Sequence, residues 1–256
     1  MTRFLYFCNM KRICTYFILT AISLIALFVT IRRPIITGEV TKQTIYLWLL
    51  NSCHIQTKKA RPTAMLIDDD NGDGIFKIWR ICNELGIKAT FAVIPSRLDS
   101  VKTDSLKRWQ KEGYGIAIHG YNHDKWKEWP LEAITTDIQR CEHLLLKNGF
   151  INNFRFVVPP HACNTSNIRN AIKAKGYLMI SGANIINPDT TVFQYGRFSL
   201  DTDYLDLDEA KRIIIKAYHE KAFIIFGIHS SMNSSFSEEK TKEILNMAKS
   251  IGFIFI

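Results

Sequence analysis

The chain has 256 residues and a formal net charge of +9, and 47% of its residues are apolar. Residues 1–62 hold nine basic residues and one acidic residue, so their net +8 leaves only +1 for residues 63–256. A nearly neutral body argues against nucleic acid as a partner. The six cysteines form neither a CxxC pair nor a zinc-ribbon spacing, which excludes a structural zinc module of that type.

An uncharged apolar stretch covers residues 13–31, after a short basic segment at 1–12. As a helix it would extend about 28 Å at about 1.5 Å per residue, close to the thickness of a bilayer core. No small-x-small cleavage site follows it, so the pattern predicts an uncleaved transmembrane signal anchor rather than a signal peptide. We expect a single-pass membrane protein with an extracytoplasmic body, joined by a tether at 32–62. Basic residues flank both ends of the stretch, so charge does not fix its orientation.

Beyond residue 62, short apolar runs alternate with segments of helical periodicity, which indicates a parallel sheet covered by helices. The predicted strands are 64–67, 89–94, 115–118, 154–158, 177–180, 222–228 and 253–256. The predicted helices are 75–85, 104–111, 131–147, 166–175, 207–219 and 237–250. No internal linker interrupts this pattern, so residues 63–256 are expected to form one α/β domain that is either barrel-like or open.

Acidic residues and histidines follow several of the apolar runs directly. Four groups stand at such strand ends: Asp68-Asp69-Asp70, His119 with His123, Pro159-Pro160-His161, and His229. In parallel α/β folds the carboxyl ends of the strands meet at one edge, where ligands bind. Histidine and aspartate together suit a catalytic zinc, cobalt or iron ion. The sequence therefore predicts a hydrolytic metal site at this edge.

These motifs resemble those of the polysaccharide deacetylases, relatives of the nodulation-factor deacetylases with a (β/α)7 barrel. Residues 64–69 resemble the family's first motif, a strand that ends in Phe-Asp-Asp. The resemblance implies that Asp68 is the general base and Asp69 a metal ligand. Asp70 stands where the family usually has glycine, so the match could also slide by one residue. His119 and His123 match the HxxxH spacing of the second motif, which implies the remaining ligands.

The later motifs imply the rest of the site. Pro159-Pro160 resembles the third motif, which shapes the groove and offers a backbone N–H to an oxyanion. His229 resembles the last motif, as general acid. Either Asp201 or Asp203 is a candidate for the acid that holds this histidine. His161 and Tyr121 are candidates for sugar stacking, with buried packing as an equal alternative.

Several positions depart from the family pattern. Gly120 replaces a usual Ser or Thr, and Val158 stands where an arginine that orients the base commonly precedes the prolines. His161 replaces an aromatic residue, and Gly227 replaces a leucine of the acetyl-binding pocket. The resemblance is therefore to a divergent member.

The expected function is removal of acetyl groups from an amino sugar or polysaccharide by a metal-dependent hydrolase, in which metal-bound hydroxide attacks the amide carbonyl. Zinc is the first choice of metal, with cobalt or another divalent ion as the alternative. A glycan is the expected substrate, and the membrane is a partner through residues 13–31. Two other hypotheses stay open: a non-catalytic carbohydrate-binding or assembly protein on the same fold, and hydrolysis of another C–N amide or an O-acetyl bond.

Overall fold

Strands and helices alternate along the chain in a computed structural model, which describes residues 61–181, 185–188, 192–201, 206–230 and 237–256. The strands within these ranges are β1 Thr63–Asp69, β2 Ala89–Val93, β3 Gly115–Ile118, β4 Phe156–Val157, β5 Leu178–Ile180, β6 Ile186–Asn187, β7 Gln194–Tyr195, β8 Phe198–Ser199, β9 Phe223–His229 and β10 Ile254–Phe255. The helices are α1 Ile75–Leu85, α2 Ser100–Lys111, α3 Leu131–Lys147, α4 Ser166–Ala174, α5 Leu207–His219 and α6 Glu238–Ser250.

The sheet is parallel throughout the described residues except where β6 pairs antiparallel with β9. Its strand order is β6-β9-β1-β2-β3-β4-β5-β7, with β10 beside β1 and β8 beside β9. Since β7 and β8 are separated by only two residues, the chain itself connects the β5 side of the sheet to the β9 side. The sheet is thus a nearly closed barrel, which confirms the predicted parallel α/β barrel architecture.

Two apolar layers account for the stability of this barrel. The interior layer contains Met65, Ile67, Ala92, Ala117, Phe156, Val158, Ile180, Tyr195, Phe223 and Ile225. The larger outer layer lies between the strands and the helices and includes Leu66, Phe91, Trp109 and Phe226. Side chains of a strand alternate between its two faces. Met65 and Ile67 of β1 therefore face the interior, whereas Leu66 faces the helices.

Most helix boundaries follow the predicted pattern, but α2 begins earlier. The sequence pattern predicts its start at residue 104, whereas the helix starts at Ser100 with Asp99 as its N-cap. The Asp99 carboxylate accepts a hydrogen bond from the Lys102 backbone N–H at 2.7 Å. An aspartate at this position satisfies one of the otherwise unpaired N–H groups of the first turn. The short strands β6, β7 and β8 were also not predicted, because two-residue strands carry no readable periodicity.

The predicted membrane anchor at 13–31 lies outside the described residues, as do the basic segment at 1–12 and nearly all of the tether at 32–62. Within the described ranges, no helix combines the length and the apolar character needed to cross a bilayer.

Candidate metal centre and active site

The side chains of β1 alternate between its two faces, and this alternation places the acidic residues at its end on opposite sides of the sheet. Met65 and Ile67 face the barrel interior, so Asp69 continues that face at the mouth of the barrel. Asp68 continues the opposite face, toward the helices. The chain then leaves the strand through Asp70 and Asn71, both with positive φ, and Asn71 Oδ1 accepts a hydrogen bond from Ile94 N at 2.7 Å. This turn directs Asp70 toward the ends of β2 and β3.

Asp70, His119 and His123 form the candidate metal centre. Each offers one donor atom, and the three atoms lie within 4.8 Å of one another. The Asp70 Oδ1 atom is 3.4 Å from His119 Nε2 and 3.2 Å from His123 Nε2. His119 follows β3 directly, and His123 reaches the same point through a loop in which it adopts a positive φ of 68°.

Hydrogen bonding and burial prepare both imidazoles as metal ligands. The His119 Nδ1 atom lies 2.7 Å from the Val158 carbonyl oxygen, so Nδ1 carries the proton and Nε2 presents a lone pair. That Nε2 atom is buried and makes no well-formed hydrogen bond among the described residues. Burial, followed by the charge of His119, lowers the pKa of His123 to about 4, so this imidazole is neutral near pH 7.

The Asp70 carboxylate lies beside these imidazoles. Burial by itself would raise its pKa, but the contact with His119 and the electrostatic effects of His119, His123 and His229 together lower it. One carboxylate and two imidazoles make a donor set that fits a divalent ion, and a catalytic zinc site uses three protein ligands of this type. The residues present therefore fit the metal that the sequence motifs imply.

Asp69 is held by an arginine that the sequence reasoning did not single out. The Arg197 guanidinium donates a hydrogen bond to Asp69 Oδ2, and the carboxylate is fully buried. The second carboxylate oxygen, Oδ1, is buried and has no hydrogen-bond partner among the described residues. Arg197 lies between β7 and β8 and passes over Gly227 of β9, where an added Cβ would be 2.7 Å from Arg197 Cδ.

His229 and Asp201 form a second charged pair at the mouth. His229 is the last residue of β9, and its Nδ1 atom is 2.7 Å from Asp201 Oδ2. The His229 backbone N–H also donates to Asp201 Oδ1, and Ser199 Oγ donates to Asp201 Oδ2 at 2.8 Å. Hydrogen bonding to Asp201 raises the pKa of His229 above its ordinary value, against the opposing effect of burial. The other ring nitrogen, Nε2, lies 3.5 Å from Asp69 Oδ2.

Asp68 lies apart from these groups. It is fully buried on the helix-facing side of β1 and accepts hydrogen bonds from Ser230 N at 3.0 Å and Ser230 Oγ at 2.6 Å. Burial raises the pKa of Asp68 to about 8, although the hydrogen bonds from Ser230 oppose this effect. These contacts join the end of β1 to the end of β9 and do not reach the three metal-binding donors.

The proline segment and the neighbouring loop form the rim on the histidine side. Pro159 and Pro160 are buried, and an added Cβ on Gly120 would be 2.8 Å from Pro160 Cγ. Proline has no N–H, so the first backbone donor after Val158 is that of His161, and this N–H stays the candidate for the predicted oxyanion contact beside Pro160. The His161 Nε2 atom lies 3.1 Å from the His123 carbonyl oxygen. The half-exposed Tyr121 ring is covered by the Arg140 guanidinium, 3.4 Å from the ring centroid.

The comparisons with known proteins agree with this arrangement. Residues 56–180 match the family model for polysaccharide deacetylase, a range that includes Asp70 and both metal-site histidines. Over these residues the chain is similar to the polysaccharide deacetylase family. The match ends before Arg197, Asp201 and His229. A comparison with curated proteins finds no match.

Several solved structures share the fold of this domain. An acetyl xylan esterase from Clostridium thermocellum in complex with cobalt is 19% identical, with a TM-score of 0.54 over 76% of this chain and 87% of its own. A peptidoglycan N-acetylglucosamine deacetylase domain from Eubacterium rectale is 16% identical, with a TM-score of 0.56 over 78% and 89%. A pseudoenzyme of carbohydrate esterase family 4 from Bacillus anthracis is 15% identical, with a TM-score of 0.57 over 76% and 63%.

The structure shifts the first motif by one residue relative to the sequence expectation. Asp70, rather than Asp69, accompanies His119 and His123, and Asp69, rather than Asp68, faces His229. An apolar strand buried on both faces does not reveal which of its residues point inward, which explains the shift. Asp201 contacts His229, whereas the alternative, Asp203, lies outside the described residues. The one sequence signal for Arg197 was Gly227, whose missing side chain leaves room for it.

Proposed function

We propose that this protein is a metal-dependent carbohydrate deacetylase with Asp70, His119 and His123 as its metal ligands. The observation that carries the proposal is the convergence of these three donors beside a general base candidate, Asp69, and a general acid candidate, His229. Such a set of ligands, base and acid around one opening is what hydrolysis of an acetyl group requires.

The metal would be divalent, with zinc as first choice and cobalt as an alternative. Two neutral imidazoles and one carboxylate suit both ions, and a cobalt-bound acetyl xylan esterase has the same fold. When bound, such an ion lowers the pKa of a water molecule and polarises the acetyl carbonyl. The His119 tautomer, fixed by the Val158 carbonyl, orients one ligand for this role.

Asp69 is the proposed general base, in place of Asp68. Its Oδ1 atom is buried at the mouth of the barrel without a hydrogen-bond partner among the described residues, so it can accept a proton from the attacking water. Asp68 is unsuited to this role because both of its oxygens accept hydrogen bonds from Ser230, on the far face of β1.

His229 is the proposed general acid, and Asp201 its support. Hydrogen bonding to Asp201 raises the pKa of His229, which favours the protonated imidazole that a general acid requires. This proton would pass to the leaving amine or alcohol as the acetyl group departs. Asp201 in turn holds the ring through Nδ1, which leaves Nε2 on the side of Asp69.

The proposed substrate is an acetylated amino sugar or polysaccharide. The rim formed by Pro159, Pro160 and His161 would shape the groove, with Tyr121 as a stacking candidate. Two enzymes with the same fold are an esterase for acetyl xylan and a deacetylase for peptidoglycan N-acetylglucosamine, so ester and amide substrates both belong in a screen.

A second candidate function is non-catalytic carbohydrate binding. Val158 is a buried apolar residue where the family commonly carries an arginine, and a pseudoenzyme has the same fold. A protein that binds glycan but neither retains a metal nor releases acetate would support this alternative.

The test combines metal analysis of the purified full-length protein with an acetate-release screen over N- and O-acetylated sugars and polysaccharides. We expect about one divalent ion per chain and release of acetate that a chelator abolishes. The Asp70→Ala and His123→Ala variants should lose metal and activity together. The His143→Ala variant, which removes an exposed histidine of α3 remote from the ligands, should keep both. Full activity in metal-free protein would contradict the proposal.

We also propose that residues 13–31 anchor the protein in a membrane, with the deacetylase domain outside the cytoplasm. The support is the 19-residue uncharged stretch in the sequence. Carbonate extraction of membranes from expressing cells tests the anchor, and protease accessibility in intact and permeabilised cells tests its orientation. Recovery of the full-length protein in the soluble fraction would contradict it.

A further inference from the structure

We propose that Arg197 is the positioning residue for the general base Asp69, and that Gly227 is a glycine because the Arg197 side chain must cross β9 at that point. The proposal rests on the function proposed above, in which Asp69 accepts the proton of the attacking water.

The contact between the two side chains is specific. Arg197 donates to Asp69 Oδ2, so the carboxylate is held by one oxygen, while Oδ1 is buried without a hydrogen-bond partner among the described residues. The Arg197 side chain is only 19% exposed and Asp69 is fully buried. A charge-assisted hydrogen bond in such an environment is stronger than one in water and fixes the rotamer of the carboxylate. Val158, a residue of the interior layer, is apolar and carries no charge.

The path of Arg197 explains Gly227. Ser199 of β8 pairs with Gly227 of β9, and Ile67 of β1 pairs with the same glycine on its other side. The Arg197 side chain therefore begins next to β8, on one side of β9, and ends at Asp69 of β1, on the other side. This distance corresponds to two strand spacings, or about 9–10 Å. An added Cβ at Gly227 would lie 2.7 Å from Arg197 Cδ and 3.2 Å from Nε.

Backbone conformation gives no competing reason for this glycine. Gly227 does not have a positive φ, so an L-residue could adopt its backbone conformation without strain. Glycine weakens a strand interior and often marks the close approach of another group. Here that group is the Arg197 side chain. The arginine at residue 197 therefore requires a residue without a side chain at position 227.

The first experiment measures stability and needs no substrate. Gly227→Ala should lower the Tm of the full-length protein by roughly 3–10 °C, because its methyl group overpacks against Arg197. In an Arg197→Ala background, which removes Cγ, Cδ and the guanidinium, the same substitution should change the Tm by less than about 2 °C. Equal Tm losses in both backgrounds would show that the two residues are independent and would overturn the proposal.

The second experiment measures catalysis in the metal-loaded protein. Arg197→Ala should lower kcat about 100-fold, in the range that general-base catalysis contributes, with little change in KM and an unchanged metal content. Guanidinium ions added to the Arg197→Ala protein should restore part of kcat, and Arg197→Lys should keep more activity than Arg197→Ala. Arg155→Ala, at an exposed arginine just before β4, is the matched control and should keep kcat.

The outcomes separate this inference from the proposed function. Acetate release by the wild type together with an Arg197→Ala kcat within twofold of it overturns the role of Arg197 alone. A wild type that releases no acetate from any substrate overturns the proposed function and, with it, the role of Arg197. A kcat loss that accompanies metal loss and resists guanidinium rescue indicates a structural role and also overturns the inference.

Discussion

The three consecutive acids at the end of β1 should respond very differently to the same substitution, Asp→Asn. Burial raises the pKa of Asp68 to about 8, which favours the protonated carboxyl at pH 7. Asparagine reproduces that uncharged state. Its carbonyl oxygen can accept from Ser230 N while its amide donates to Ser230 Oγ, since the serine hydroxyl both donates and accepts. Asp68→Asn should therefore keep metal content and keep kcat within about threefold.

The other two substitutions remove groups that face the site. Asp69→Asn should keep the metal but lower kcat by about 10² to 10⁴, the usual contribution of a general base. Asp70→Asn removes the single anionic ligand and should lose metal affinity and activity together. Metal content by elemental analysis and kcat by acetate release, measured on all three variants, distinguish these patterns. If Asp68→Asn lost activity while Asp70→Asn kept its metal, the assignment of Asp69 and Asp70 would fail in favour of the register expected from the sequence.

Three further predictions follow from the same contacts. Gly120→Ser should destabilise the protein by about 2–5 kcal/mol in denaturant unfolding, because residue 120 has a φ of +73° and an added Cβ would meet Pro160. The control Gly113→Ala, at a φ of +96° with no atom near its added Cβ, should cost about 1–2 kcal/mol. Equal costs would contradict the packing argument. Asp201→Asn should move the alkaline limb of the pH–rate profile to lower pH. The hydrogen bond to Asp201 is the main cause of the raised pKa of His229, and the general acid is lost as the pH rises through that pKa. An unmoved limb would remove His229 from the role of acid. Zinc at about 100 times its Kd should stabilise the wild type by about 2.7 kcal/mol in thermal unfolding. The His123→Ala variant should show no such gain, and an equal gain in both proteins would place the metal elsewhere.

Much of the fold was readable from the sequence because the physical signals are local. The helices α1, α3 and α5 begin and end where their apolar periodicity predicts. The longer strands appear as near-continuous apolar runs, since both faces of a barrel strand are buried. The short strands β6, β7 and β8 escaped, because a pair of residues carries no period. They nevertheless carry the chain across the β5–β9 gap and bring Arg197 to the site.

The candidate site was predicted in part. His119 and His123 were identified by spacing at a strand end, and they meet in the structure as expected. The acids were displaced by one position because inward and outward residues of β1 are equally apolar. In the sequence Gly120 stood out only as a departure from a usual Ser or Thr, whereas its positive φ and its contact with Pro160 call for glycine itself. Each of these differences depends on where a side chain points, which no pattern of residue types encodes.

By itself, the sequence determined the residue types available for chemistry and their order at the strand ends, because strands and helices follow local periodicity. Only the tertiary structure decided that Asp70 joins the histidines, that Asp201 holds His229, and that Arg197 holds Asp69. The last pairing joins residues 128 positions apart in the chain. It exists because parallel strands place β8, β9 and β1 side by side, and because Gly227 has no side chain to block the arginine between them.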